Sequence, residues 1–289
     1  MRVTLPLMYG LTTRDILSKQ DKISRLGRDI ASGVRLHNPH DDPAAWARSL
    51  DLQQTLQRME RYQNNLEFAA DMLSSADSGL NHSHDLLIRT TEIGMAANTL
   101  NSPEEQEAYV EEVDQILQEL AQTVSTTVNG QSVFAGKPVW DDVDEKWEWE
   151  SARPPGDPLQ VTLEDGTQTM TVTCDLSSTI PDAMNTLEAL KRHIDNGDFS
   201  GISTALQNLN EAMEQLRSFS STVGTRLTSI QRRQDALAAL AAHRQERLSE
   251  LRDTDLLEAI SSLQTNQIAL EAALKSSLVL KDLSLVRYL

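Results

Sequence analysis

Cysteine, aromatic residues and long hydrophobic runs are all scarce in this chain of 289 residues. The single cysteine, Cys174, excludes an intrachain disulfide. Aromatic residues make up 4% of the sequence, fewer than a globular enzyme usually has. The apolar stretch at residues 236–242 is far too short to cross a membrane. These absences favour long helices packed side by side.

Positive charge is also scarce. The sequence has 26 Lys and Arg against 43 Asp and Glu, giving a net charge of −17. Binding to nucleic acid requires cations that neutralise phosphates, so we expect neither nucleic-acid binding nor attachment to anionic membranes. Residues 1–10 have no long apolar core and no small-residue cleavage site. If the protein is exported, we expect export without a cleaved signal peptide.

No catalytic or cofactor-binding pattern is recognisable in the sequence. It lacks a Gly-x-Ser-x-Gly motif, a glycine-rich phosphate loop and a Cys/His nucleophile arrangement. His37 and His40 stand beside Asp41 and Asp42, and all four are residue types that bind metals. Prolines bound this segment, however, and Asp42 is explained as a helix cap. We therefore expect no cofactor, no metal and no enzymatic activity.

The C-terminal stretch predicts a helix that needs a partner. Residues 255–278 contain no Gly or Pro, and their apolar residues alternate in steps of four and three, as in a coiled coil. A helix with so narrow an apolar stripe can bury it only against another helix. The nearest candidate partner is the predicted N-terminal helix, residues 12–32, because its isoleucines recur every seven residues. The predicted assembly seam consists of Ile16, Ile23, Ile30, Leu256, Ile260, Leu263, Leu270, Leu274, Leu285 and Leu289.

Two breaks are predicted to separate the terminal helices from the rest of the chain. Gly33 can end the first helix in the left-handed conformation. Residues 34–43 contain two prolines and no periodicity, and Asp42 followed by Pro43 is typical of a helix start. Residues 252–255 form the second break. Between the breaks, four-three spacing predicts long helices.

Residues 138–180 differ in character from the rest of the chain. They hold three of the four tryptophans, and their apolar residues alternate as in β-strands, with a hairpin turn signal at residues 164–167. We expect the tryptophans to form the core of this insert, although a carbohydrate or partner surface is an alternative. An insert this small is expected to lean on the helical body. Because the helical seams do not include it, we predict that it is dispensable for assembly.

The patterns together predict a mainly α fold. Long antiparallel helices form a coiled-coil or bundle rod, with discontinuous N- and C-terminal helices and a small β insert domain. We predict three domains. These are a terminal coiled-coil domain from residues 1–42 and 254–289, a helical rod domain from residues 43–137 and 181–253, and a β insert domain from residues 138–180.

Residues 30–44 resemble the N-terminal motif of the flagellin family, whose common core is Ser-Gly-x-Arg followed by Asp-Asp-Pro-Ala. The matching bend motif comprises Gly33, Arg35, Asp41, Asp42 and Pro43. Val34, His37 and His40 depart from the usual motif. Other segments resemble the hook–filament junction proteins within this family, namely residues 61–65, 129–136, 253–260 and 283–289.

This resemblance implies a secreted structural protein of the bacterial flagellum. Such proteins are exported unfolded through the flagellar type III pathway with a dedicated chaperone. They self-assemble into a ring between the first hook-associated protein and the flagellin filament, with their terminal helices in an inner coiled-coil layer. Two alternatives stay open. One is a short flagellin that polymerises into filaments, and the other is a non-flagellar coiled-coil translocator or signalling rod.

Overall fold

The computed structural model of the chain describes residues 5–99, 102–152, 159–164 and 168–285. Within them the fold is mainly α, as predicted, and α2 and α5 are 55 and 54 residues long. None of the described helices has a stretch apolar enough to cross a membrane. The elements in chain order are α1 (Leu5–Ser32), α2 (Pro43–Ala97), α3 (Pro103–Val124), β1 (Thr127–Val128), β2 (Gln131–Ser132), β3 (Gly136–Asp141), β4 (Lys146–Ser151), β5 (Gln160–Glu164), β6 (Gln168–Thr171), α4 (Thr179–Asp195), α5 (Phe199–Arg252) and α6 (Leu256–Leu285).

The chain divides into two compact units. The terminal unit comprises Met1–Gln57 and Leu240–Leu289, and the central unit comprises Arg58–Ala239. Both boundaries fall inside helices, in α2 and α5. The three-domain division proposed from the sequence stays a prediction.

In the terminal unit, α1 and α6 pack against each other. The two breaks that precede α2 and α6 are joined by backbone hydrogen bonds. The Arg35 amide donates to the Arg252 carbonyl at 2.8 Å, and the Thr254 amide donates to the Gly33 carbonyl at 2.9 Å. Gly33 has a φ of 71°, which a residue with a Cβ rarely adopts. The predicted pairing of the two terminal helices is therefore confirmed.

The central unit holds a large hydrophobic core. Parts of α2 and α5 contribute to it together with α3 and α4. Helix α3 begins at the capping-box sequence Ser102-Pro103-Glu104-Glu105, where the Ser102 hydroxyl accepts from the Glu105 amide at 3.3 Å and Pro103 opens the helix. Fully buried side chains include Leu66, Met72, Leu73, Leu80, Leu87, Ile93, Leu120, Phe134, Leu176, Ile180, Met184 and Leu187.

Three short antiparallel strand pairs form the β structure of the central unit. The β1–β2 hairpin turns at Asn129 and Gly130, whose φ angles of 50° and 77° suit a two-residue turn between strands. Strand β3 pairs with β4, and β5 pairs with β6. Residues 165–167, at the centre of the predicted 164–167 turn, lie outside the described residues.

The insert packs on the helices, as expected, but it is more than an appendage. Asn185 of α4 accepts from the Trp147 amide at 2.7 Å and donates to the Trp147 carbonyl at 3.0 Å. Val161 and Val172 belong to the same core cluster as the helical leucines, and Trp147 and Trp149 pack against that cluster. A Cβ at Gly136 would collide with the Trp149 indole, so this position needs glycine.

The insert therefore shares a core with the helices, while its dispensability for assembly stays a prediction. The helical spacing shows which residues face a core. It does not show that residues between the helices cover part of that core. Val161, Val172 and Leu176 all lie in the predicted insert, and all three are buried in the helical core cluster.

Candidate assembly interface

The bend before α2 is held by a capped helix start. The Asp42 carboxylate accepts from the Ala44 amide at 3.1 Å and from the Ala45 amide at 3.0 Å. Pro43 is the first residue of α2. Two of the backbone N–H groups that the first turn leaves without helical partners are satisfied in this way.

Asp41 ties this bend to α1. Its carboxylate accepts from the Asn38 amide at 2.9 Å and from the His37 amide at 3.2 Å, and it pairs with Arg25 of α1 at 3.2 Å. The Asn38 amide is the largest cause that holds the pKa of Asp41 below its ordinary value, and the His37 amide and Arg25 act in the same direction. Asp41 therefore orders the loop while it links the loop to the helix before it.

A second link joins the bend to α1. His37 Nε2 lies 2.8 Å from the Asp29 Oδ1 atom, and Asp29 is buried. A buried carboxylate needs a hydrogen-bond partner, and His37 supplies one. Neither Asp29 nor Arg25 was singled out from the sequence. Both residues lie in α1, and their partners His37 and Asp41 lie beyond the end of that helix. Local sequence patterns therefore do not reveal these contacts.

The break before α6 uses the same capping chemistry. The Asp255 carboxylate accepts from the Leu257 amide at 3.0 Å and from the Glu258 amide at 3.1 Å. Before the break, the Ser249 hydroxyl bonds to the Asp253 carboxylate. Both helices that begin after a break are thus capped by an aspartate, as predicted from the sequence for Asp42.

The predicted seam residues fall into two groups in the single chain. Ile16, Ile23 and Ile30 of α1 are half-buried, as are Leu263 and Leu270 of α6, whereas Leu256, Ile260 and Leu274 are exposed. Side chains of Leu285 and Leu289 lie outside the described part of the chain. The better-buried face of α6 consists largely of small and polar residues, namely Ala259, Ser262, Leu263, Asn266, Ala269, Leu270, Ala273 and Ser277.

Large apolar side chains consequently remain on the surface of the terminal unit. Leu257, Ile268 and Leu278 of α6 are 84%, 69% and 61% exposed. Leu11 and Leu17 of α1 are about half exposed. Apolar residues displayed in this number on a helix pair are typical of a surface that packs against other protein. The assignment of the predicted seam to assembly stays a prediction.

One group of carboxylates in the described part of the chain has the spacing of a metal site. Asp141, Asp144 and Glu148 offer oxygens within 4.8 Å of one another. The Lys146 ammonium, however, lies 2.9 Å from Asp144 and 3.0 Å from Glu148, and its hydrogen bond to Asp144 is the largest cause that raises the pKa of Lys146. The lysine already neutralises much of this cluster.

Comparison with known proteins shows which family the N-terminal part of the chain resembles. Residues 7–138 match the bacterial flagellin N-terminal helical region. Over 138 residues, the chain is 27% identical to flagellar hook-associated protein 3 of Escherichia coli (strain K12) and 28% identical to that of Salmonella typhimurium. Each match covers 47% of this chain and 44% of the relative, so less than half of either relative is spanned.

Two solved structures share the fold. The FlgL crystal structure from Bacillus cereus superposes with a TM-score of 0.59 at 17% identity, covering 68% of this chain and 98% of that one. A flagellar hook-associated protein from Vibrio parahaemolyticus gives 0.66 at 15% identity, covering 74% and 100%. The likeness shows a shared fold over about two thirds to three quarters of this chain. Over residues 7–138 the chain is therefore similar to the N-terminal helical region of the bacterial flagellins.

Proposed function

We propose that this protein is a structural adaptor of the bacterial flagellum. It joins the hook, through the first hook-associated protein, to the flagellin filament by assembling into a ring of identical copies. The observation that most directly supports this role is the similarity to hook-associated protein 3 of two organisms over 138 residues.

The surface of the terminal unit supports an assembly role. Exposed leucines and isoleucines on α1 and α6 can be buried when other helices pack beside them, and burial of apolar area is the main driving force for association. The partners in this proposal are further copies of the chain, the first hook-associated protein, flagellin and a dedicated export chaperone. The protein acts mechanically, without catalysis, outside the cell.

A clean deletion strain tests this function. Cells without the gene should carry hooks that lack filaments and should shed flagellin into the medium, and the gene restored in trans should bring filaments back. If the chain is a filament subunit instead, the deletion should shorten or remove filaments without release of another flagellin. If the chain belongs to a non-flagellar rod, the deletion strain should swim like its parent.

A further inference from the structure

Charge is divided unevenly between the two units. The terminal unit contains 14 Lys and Arg against 13 Asp and Glu, whereas the central unit contains 12 against 30. Their net charges are therefore +1 and −18. Copies with so acidic a central unit repel one another, so their association depends on local charge complementarity.

A groove between α2 and α5 in the terminal unit concentrates cations. Its volume is about 730 Å³, and Arg48, Arg244 and Arg247 line it. Leu240 and Leu251 contribute apolar surface, and the groove also contains Asp51, Glu250 and His243. Among the described residues, none of the three guanidinium groups forms an ion pair. The groove therefore offers unpaired guanidinium groups next to apolar surface, a combination suited to an anionic protein segment.

A stripe of carboxylates on α3 in the central unit has the complementary charge. Glu104, Glu107 and Glu111 follow one another at three and four residues, so they share one helix face, and all three are exposed. Like charges at this spacing destabilise a helix. Within the described residues none of the three has a cationic partner. A cationic partner on another molecule would relieve their repulsion.

We propose that copies of this chain associate head to tail, with the glutamate stripe of one copy seated in the arginine groove of the next. The proposal rests on the proposed function, because a ring requires contacts between copies. Arg244 and Arg247 are three residues apart, as are Glu104 and Glu107, so each pair is offset by about 4.5 Å along its helix axis. Two guanidinium–carboxylate pairs can therefore form at once. A contact between two different surfaces repeats around a ring or along a filament.

A reciprocal charge exchange in the purified full-length chain tests this contact. The groove variant is Arg48→Glu, Arg244→Glu and Arg247→Glu together, and the stripe variant is Glu104→Lys, Glu107→Lys and Glu111→Lys together. Sedimentation velocity in low salt measures association of each variant alone and of their equimolar mixture. Each variant alone should associate at least about tenfold more weakly than the unaltered chain, because like charges then face each other. The mixture should recover the association, because each groove again meets a stripe of opposite charge.

A matched control reverses three other exposed carboxylates of the central unit, through Glu60→Lys, Asp71→Lys and Glu214→Lys. It carries the same net charge as the stripe variant and should not rescue the groove variant. A neutral groove variant, Arg48→Gln with Arg244→Gln and Arg247→Gln, guards against misfolding, and circular dichroism should show all variants helical. The proposal is overturned if unaltered copies do not associate, if the mixture associates no better than its components, or if the control rescues equally well. None of these results bears on the deletion phenotype, which tests the proposed function separately.

Discussion

His84 is a polar residue on the core side of α2, where it meets α5. Its Nε2 atom accepts from Arg217 Nε at 3.3 Å, while its Nδ1 atom is buried and lacks a hydrogen-bond partner among the described residues. Burial is the largest cause that lowers the pKa of His84, Arg217 lowers it further, and Asp85 opposes them. The folded protein therefore disfavours the charged imidazole at this position.

The central unit should lose stability in mild acid because of His84. The folded pKa lies below the ordinary value of 6.5, so the unfolded chain binds the proton more readily. The stability that neutral His84 contributes is fully present above pH 6.5 and is lost as the pH falls through the pKa of the folded state. Denaturant unfolding measures the free energy of unfolding at pH 7.5 and at pH 5.5. The decrease between these two pH values should be smaller for His84→Gln than for the unaltered chain. The exposed His243→Gln change is the control, and equal losses in both variants would contradict this assignment.

Residue-level features divide into those visible in the sequence and those that depend on the fold. Asp42 was predictable as a cap because a cap bonds to backbone two or three residues away, and Ser102 and Asp255 cap their helices in the same way. Asp29 was not predictable, because its partner His37 reaches it only after the chain has turned at the bend.

At the scale of elements, the β insert stabilises the helices it packs on. Asn65 of α2 donates to the Thr162 carbonyl at 3.0 Å, and Arg226 of α5 donates to the Thr171 carbonyl at 3.1 Å. These links connect β5 and β6 to two helices distant in sequence. Strands β4, β5 and β6 were predictable from alternation, but the surfaces they cover were not, because alternation shows that one face is buried without showing against what.

Replacing residues 138–180 with a Gly/Ser linker should destabilise the central unit by several kcal/mol. Each fully buried Val, Leu or Ile side chain contributes roughly 1.5–3 kcal/mol, and this segment supplies Val172, Leu176 and Ile180 to the core. Denaturant unfolding followed by circular dichroism measures the loss. The control shortens only the exposed turn at residues 142–145 to Asn-Gly and should change stability little. An unfolding midpoint unaltered by the long replacement would show that the insert does not stabilise the central unit.

The exposed face of α6 should matter for assembly more than for folding. Leu257→Ser, Ile268→Ser and Leu278→Ser together replace exposed side chains, so each should change stability by less than about 0.5 kcal/mol. Incorporation into flagella should nevertheless fall sharply, measured as the fraction of deletion-strain cells that regain filaments when given this variant. The control on the same helix is Gln264→Ser, Gln267→Ser and Lys275→Ser. Equal rescue by both variants, with both secreted normally, would show that this face makes no assembly contact.

At the scale of the whole molecule, the two units differ in how much core they possess. Nearly all of the buried apolar side chains belong to the central unit, whereas the terminal unit buries few, among them Leu36, Leu52 and Leu248. Helix propensity alone stabilises such a helix pair only weakly. With so little buried area, the stabilisation of the pair is close to the entropic cost of ordering its chain. The coiled-coil spacing in the sequence indicates that the terminal helices need partner helices. It does not show which of their side chains stay exposed in the single chain.

Hydrogen exchange on the dilute monomer should reveal this difference. Amides of residues 256–278 should exchange much faster than the buried parts of α2 and α4, because local stability follows the burial around each amide. Mass spectrometry of peptic peptides reports both regions in one experiment. Protection of α6 equal to that of α4 at low concentration would mean that the terminal pair is stable without neighbouring copies.

Localisation by immunogold electron microscopy of intact flagella tests the central claim most directly. An epitope placed in the exposed turn at residues 142–145 marks the chain without touching the terminal helices or the buried core. A hook–filament adaptor predicts gold confined to one narrow band where the hook meets the filament, and no band in the deletion strain. Label distributed along the filament, or absent from flagella that are otherwise complete, would contradict the account.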